Sequence, residues 1–215
     1  MTEARNDRLV WIDLEMTGLD PTRDEIVEIA AIVTDAELTE LDAGISLVVC
    51  PPDLSILAGM DDVVVRMHTE SGLLEEIPTG IPVADAGAAV LAYVQGHVTE
   101  ARRAPLAGSS VYVDRGFLAR YLPELDAHMH YRLIDVSTIK ELARRWYPRA
   151  YFNAPAKTGG HRALADIRES IAELRYYRDT LFVDVPGPST DQARAAASNH
   201  VVDHEVPPPP SEPPA

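Results

Sequence analysis

The chain has a single cysteine, Cys50, among its 215 residues. That excludes an intrachain disulfide framework and any thiolate cluster built from its own side chains. Long apolar runs are missing as well. No stretch approaches the ~18 consecutive apolar residues of a membrane-spanning helix. The opening "MTEARNDR" lacks the apolar core of a secretory signal, so a cytoplasmic location is the expectation. Positive charge is scarce: lysine occurs only at 140 and 157, and the formal net charge is −15. General binders of long DNA or RNA gain most of their affinity by neutralising many phosphates with lysine and arginine, so that class is disfavoured. The last 33 residues hold five acids against Arg194 alone, which leaves the body still at about −11. Either the substrate is not a polyanion, or it is a small one reached through metal ions.

What is present is the composition of an ordinary globular chain, 46% hydrophobic and 25% charged. From about Val183 onward the character changes. This tail carries eight of the 17 prolines and cannot bury enough apolar surface to offset its ordering entropy, so a disordered Pro-rich tail is expected over 183–215. Residues 1–7 read as an N-terminal extension and 8–182 as one α/β domain. "RLVWIDLEM", "EIVEIAAIVTD" and "DAGISLVVC" read as three strands joined by short turns, as in an antiparallel meander. "DDVVVRMHTESG" suggests one or two short helices, and "PVADAGAAVLAYVQGHV" a longer one with Pro82 near its start. A short strand, "APLAGSS", then precedes a helix from about Asp114 to Tyr121. "YRLIDV" is a further strand, and "STIKELARRWY" a helix opened by Ser137. A loop with Gly159 and Gly160 leads to the last helix, "RALADIRESIAELRYYRDTL". The order βββαβαβα predicts a mixed central sheet flanked by helices.

The first strand raises an electrostatic question. Successive strand side chains point to opposite faces, so Asp13 and Glu15 share one face while Ile12 and Leu14 take the other. Two carboxylates that close repel, and burying either without a partner costs several kcal/mol. Asp114 stands at the start of a helix, where the helix dipole alone favours a carboxylate. Asp166 lies between Leu164 and Ile167, in an apolar stripe where a carboxylate needs a partner and a metal is one possibility. His161 and Asp166 would be ~140° apart on one helix, a poor metal pair. On the preceding loop, however, His161 can reach over the site that Asp166 faces, with a side chain whose pKa of ~6.5 suits a general base. The plain alternative is an exposed loop histidine. Together the acids suit hard Mg²⁺ or Mn²⁺ ions, which prefer oxygen ligands. Two such ions ~3.5–4 Å apart stabilise both the attacking and the departing oxygen of a phosphoryl displacement.

The motifs "DLEMTGLDP", "GSSVYVDRGFL", "YRLIDVSTIKELARRW" and "HRALADIRESIAELRYY" resemble those of the oligoribonucleases. These belong to the DEDDh branch of the 3′-to-5′ exonuclease superfamily. The resemblance runs from about Arg8 to Leu181 and leaves out the tail. It implies an RNase H-like fold, a homodimer, and ligation of two divalent cations by Asp13, Glu15, Asp114 and Asp166. It assigns His161 the deprotonation of the attacking water. The implied activity is removal of 5′-nucleoside monophosphates from the 3′ end of very short RNAs, with dinucleotides favoured. It also implies substrate contacts by Leu19, a wedge against the bases, and by His68. Ser110, Arg132 and Ser137 would cap the 5′ phosphate, and Tyr131 would reach in from the partner subunit. Hydroxyls and a guanidinium suit phosphate recognition; helix capping would equally account for Ser137.

One position departs from the family pattern. Val63 stands where an aromatic residue is common, and stacking on a base is worth ~1–3 kcal/mol. A raised KM with little change in kcat is therefore expected. Two other readings compete. A proofreading or trimming exonuclease should track a longer strand along a basic groove, which this acidic body does not favour. A non-catalytic nucleotide-binding relative would not need all five catalytic residue types.

Overall fold

The structure is a computed structural model that describes residues 7–156 and 160–200. The chain divides into two units, Met1–Leu181 and Phe182–Ala215. The first is built on a five-stranded sheet with the order β3-β2-β1-β4-β5. Its strands are β1 (Leu9–Met16), β2 (Ile26–Thr34), β3 (Ile45–Val48), β4 (Pro105–Gly108) and β5 (His130–Asp135). The three N-terminal strands form the antiparallel meander, while β4 and β5 add parallel to β1. The expected mixed sheet is thus the observed one. Between the strands come α1 (Asp62–Glu70), α2 (Leu73–Glu76), α3 (Val83–His97), α4 (Tyr112–Tyr121) and α5 (Pro123–His128), and after β5 come α6 (Val136–Trp146), α7 (Pro148–Phe152) and α8 (Ala163–Leu181). No helix among the described residues is long and apolar enough to cross a membrane.

Helices cover both faces of the sheet, which is why β2 reads as a near-continuous apolar run and is buried at all nine positions. Val10, Ile12 and Leu14 of β1 pack with Val90 and Val94 of α3 and Phe117 and Leu118 of α4. Trp11 faces the other way, into a core with Ala143 of α6 and Ile167, Ile171 and Tyr177 of α8. The strand period thereby sends Asp13 and Glu15 to the α8 side. Each fully buried aliphatic side chain in these two cores contributes about 1.5–3 kcal/mol.

Some boundaries differ from the sequence-based expectation. Ser137 does not open α6: Asp135 is the N-cap, and its side chain accepts the Ser137 N–H. Short helices α5 and α7 follow Tyr121 and Tyr147 and begin at prolines, whose fixed φ and missing N–H suit the first helical turn. In the second unit, where disorder was expected from residue 183, residues 190–198 form a helix, α9 (Thr190–Ser198). A Ser189–Gln192 capping box closes its start, and none of its residues is buried. The Pro-rich stretch from 201 and most of the N-terminal extension lie outside the described residues.

Candidate active site

Three of the four predicted carboxylates meet. Asp13, Glu15 and Asp166 each offer an oxygen within 4.8 Å of the others. β1 supplies the first two from one face, and α8 supplies Asp166 from its first turn. A register shift between Glu15 and Met16 ends the regular ladder beside the cluster, the kind of irregularity that re-aims side chains at sites. Asp114, in the first turn of α4, is not one of this triplet. β4 pairs with β1 only at Val10 and Trp11. Further along β1, the Leu14 N–H is taken by Asp114 Oδ1 at 3.0 Å instead. The fourth acid is therefore a buried neighbour, close enough to raise the pKa of Glu15.

The cluster is short of positive charge. Burial, then Asp166, Glu28 and Asp114, push Glu15 up to about 8, against the opposing influence of Arg162. Burial likewise pushes Asp114 up to about 7, even though the Leu14 N–H favours its ionised form. All-oxygen donors, partial burial and mutual repulsion fit a hard divalent cation, which would hold these groups ionised. His161 sits on the loop two residues before α8. Its φ of +45° is in the left-handed region, costly for a residue with a side chain.

Residues assigned to substrate binding fall into three places. After Glu15 the chain turns at "TGLDP", where Gly18 wraps so closely on Asp24 that a Cβ would lie 2.4 Å from its Oδ2. This turn leaves Leu19 74% exposed, and Leu19 and Val63 share a cleft of about 660 Å³ with Arg23 and Asp61. Ser110 and Ser137 meet with hydroxyl oxygens 3.0 Å apart, on the wall of a second hollow of about 420 Å³. Asp135 Oδ1 accepts both backbone N–H groups at 2.9 Å, and Ser110 has φ +55°. Asp135 was not foreseen as part of the site, although an acid before "VST" is an N-cap signal. Tyr131 and Arg132 are exposed on the sheet's edge strand β5, with the guanidinium 5.5 Å from the Tyr131 ring centre.

His68 differs from the rest. It is 1% exposed, its Nε2 bonds the Met16 carbonyl at 2.9 Å, and its Nδ1 faces Glu15 at 3.9 Å. It addresses the cluster from behind Glu15. Two further charged residues beside the cluster went unrecognised in the sequence, Glu28 and Arg162. Glu28 stands opposite Glu15 in the β1–β2 register, and the available signal was a lone acid in the apolar run "IVEIAAIVT".

The class to which this fold and acidic cluster belong is that of the exonucleases. Residues 10–174 match the exonuclease family model. Oligoribonucleases of Streptomyces avermitilis and Streptomyces coelicolor are 59% and 60% identical over 197 residues, covering 92% of this chain and 98% of each relative. The chain belongs to the oligoribonuclease family. Its fold is also that of Escherichia coli exonuclease I. The zinc-bound complex of that enzyme with single-stranded DNA superposes with a TM-score of 0.63 at 15% identity, covering 81% of this chain. The chain spans about two-fifths, 41%, of that longer protein.

Proposed function

We infer that this protein is a 3′-to-5′ exoribonuclease that degrades very short RNA, dinucleotides foremost, to 5′-nucleoside monophosphates. The observation that carries this reading is the meeting of Asp13, Glu15 and Asp166 beside Asp114, in a chain this similar to oligoribonucleases. Two divalent cations, Mg²⁺ or Mn²⁺, held by these four acids would supply charge stabilisation for the attacking and leaving oxygens. His161 accepts a proton from the attacking water. The water oxygen bonds to phosphorus, and the bond to the 3′-oxygen of the preceding nucleotide breaks. Leu19 and Val63 receive the bases. Ser110, Ser137 and Arg132 donate to the 5′ phosphate and so sense that the substrate has ended. His68, as read from its burial, steadies Glu15 more than it touches RNA. Tyr131 acts from a second copy in a homodimer, a role its 72% exposure on the edge strand supports. The enzyme works in the cytoplasm.

Three of the four arginines in adjacent basic pairs are engaged with acids of their own surface. Arg144 and Arg145 both pair with Glu141, and Arg103 with Glu100. A time course on RNAs of two to seven nucleotides tests the length preference. The dinucleotide is expected to turn over fastest; equal rates at every length would sink the short-RNA reading while leaving exonuclease chemistry intact.

The cleft wall at Val63 gives a separate prediction. Val63 is 61% exposed beside Leu19 and has no π face. Val63→Trp is expected to lower KM by about tenfold, one base-stacking contact, with kcat nearly constant. Initial rates across dinucleotide concentration measure both constants, and an unchanged KM removes Val63 from base binding.

A further inference from the structure

One charged cluster is not used by this mechanism: Glu28, Arg162 and Glu76. Glu28 is 1% exposed within β2. Its Oε2 accepts the N–H of Ala163, the first residue of α8, at 3.1 Å, and its Oε1 accepts the Ser46 hydroxyl at 3.0 Å. Arg162 Nε lies 3.2 Å from both Glu28 oxygens. The other edge of the same guanidinium forks onto Glu76, with Nη1 to Oε1 at 3.1 Å and Nη2 to Oε2 at 2.9 Å. One arginine thus ties together β2, α2 and the entry to α8. Two-ended, fork-type pairing fixes orientation as well as distance.

The residue before this arginine is His161, in its left-handed backbone conformation. Such a conformation persists only where the surroundings over-determine it. A local serine or aspartate could cap α8 with less desolvation than a core carboxylate. A carboxylate from β2 instead locks the helix start to the strand position facing Glu15. Glu76 adds the second jaw from α2, the helix directly after the α1 that carries Val63 and His68.

We propose that Glu28, Arg162 and Glu76 form a clamp that holds His161 in its working position, with Arg162 a positioning residue. The proposal rests on His161 being the general base. Glu76 gives the cleanest test, because its side chain is 47% exposed and such a pair contributes little to stability. Glu76→Gln is expected to lower kcat about tenfold and Arg162→Gln about a hundredfold, the scale of a small misplacement of a reacting group. KM, melting temperature and calorimetric Mn²⁺ affinity should stay close to wild type in Glu76→Gln. Arg162→Lys should recover only part of the loss, since an ammonium keeps the charge but not the fork. Arg162→Gln combined with Glu76→Gln should be no worse than Arg162→Gln alone. If Glu76→Gln and Arg162→Gln keep wild-type kcat, or lose only KM, while His161→Ala is inactive, the clamp alone is overturned. A His161→Ala enzyme at wild-type rate overturns the general-base reading beneath it.

Discussion

Stripping divalent cations with EDTA is expected to abolish cleavage of a labelled dinucleotide, and added Mn²⁺ to restore it. Glu15→Gln should lose activity on the order of 10³-fold or more even with Mn²⁺ present, since metal-assisted charge stabilisation is worth several kcal/mol. The structural basis is the triplet of oxygens within 4.8 Å and the burial that pushes Glu15 to about 8 and Asp114 to about 7. The same shifts set a pH dependence. Between the ordinary carboxylate range and about pH 8, the folded metal-free protein keeps protons that the unfolded chain has released. Its stability therefore falls as pH rises through that window. A bound cation reverses the balance, because its ligands must be ionised. The rise in melting temperature on adding Mn²⁺ should be larger at about pH 8 than at about pH 6. A gain that is the same at both values, or activity that survives EDTA, would remove the metal site from the mechanism.

His161→Ala is expected to lower kcat by about 10²–10⁴-fold, the usual contribution of a positioned general base, while Mn²⁺ affinity holds. His161 is on the loop, not on α8, and does not belong to the carboxylate triplet. Its removal should leave that triplet and the cleft at Leu19 and Val63 in place. Calorimetric titration of Mn²⁺ alongside dinucleotide turnover separates the two functions. A variant near the wild-type rate would take His161 out of the base role. A variant that also loses Mn²⁺ would make it part of the metal site.

The clustered acids were legible because they break a local rule. Carboxylates in "VWIDLEM" and in the stripe around Asp166 contradict the strand and helix periods that otherwise explain those segments. Those periods also predicted that Asp13 and Glu15 share a face opposite Ile12 and Leu14, and the two cores show that division. The supporting residues were harder to see. Asp135 reads as a routine cap until its single oxygen is found to take the N–H groups of both Ser110 and Ser137, 27 positions apart in the chain. Glu28 and Arg162 are separated by 134 positions, and no local pattern links them. His68 carries a family assignment to substrate, yet its burial against Met16 is a consequence of how α1 packs. The tail helix Thr190–Ser198 was hidden by the prolines on either side of it, although its Ser189–Gln192 capping box is a local signal.

The sequence by itself determined the mixed α/β class, the order of strands and long helices, the acidic character that disfavours a long-strand binder, and which four acids and histidine are the candidates for the site. These follow from side-chain period, charge and motif, which are properties of neighbours along the chain. Only the tertiary structure decided that Asp114 is held back on the Leu14 N–H while Asp13, Glu15 and Asp166 converge. It alone placed Leu19 and Val63 across one cleft and locked the start of α8 to β2 through Glu28 and Arg162. Those are contacts between distant segments. Their distances, and the pKa shifts that burial imposes, exist only once the sheet and helices have closed around them.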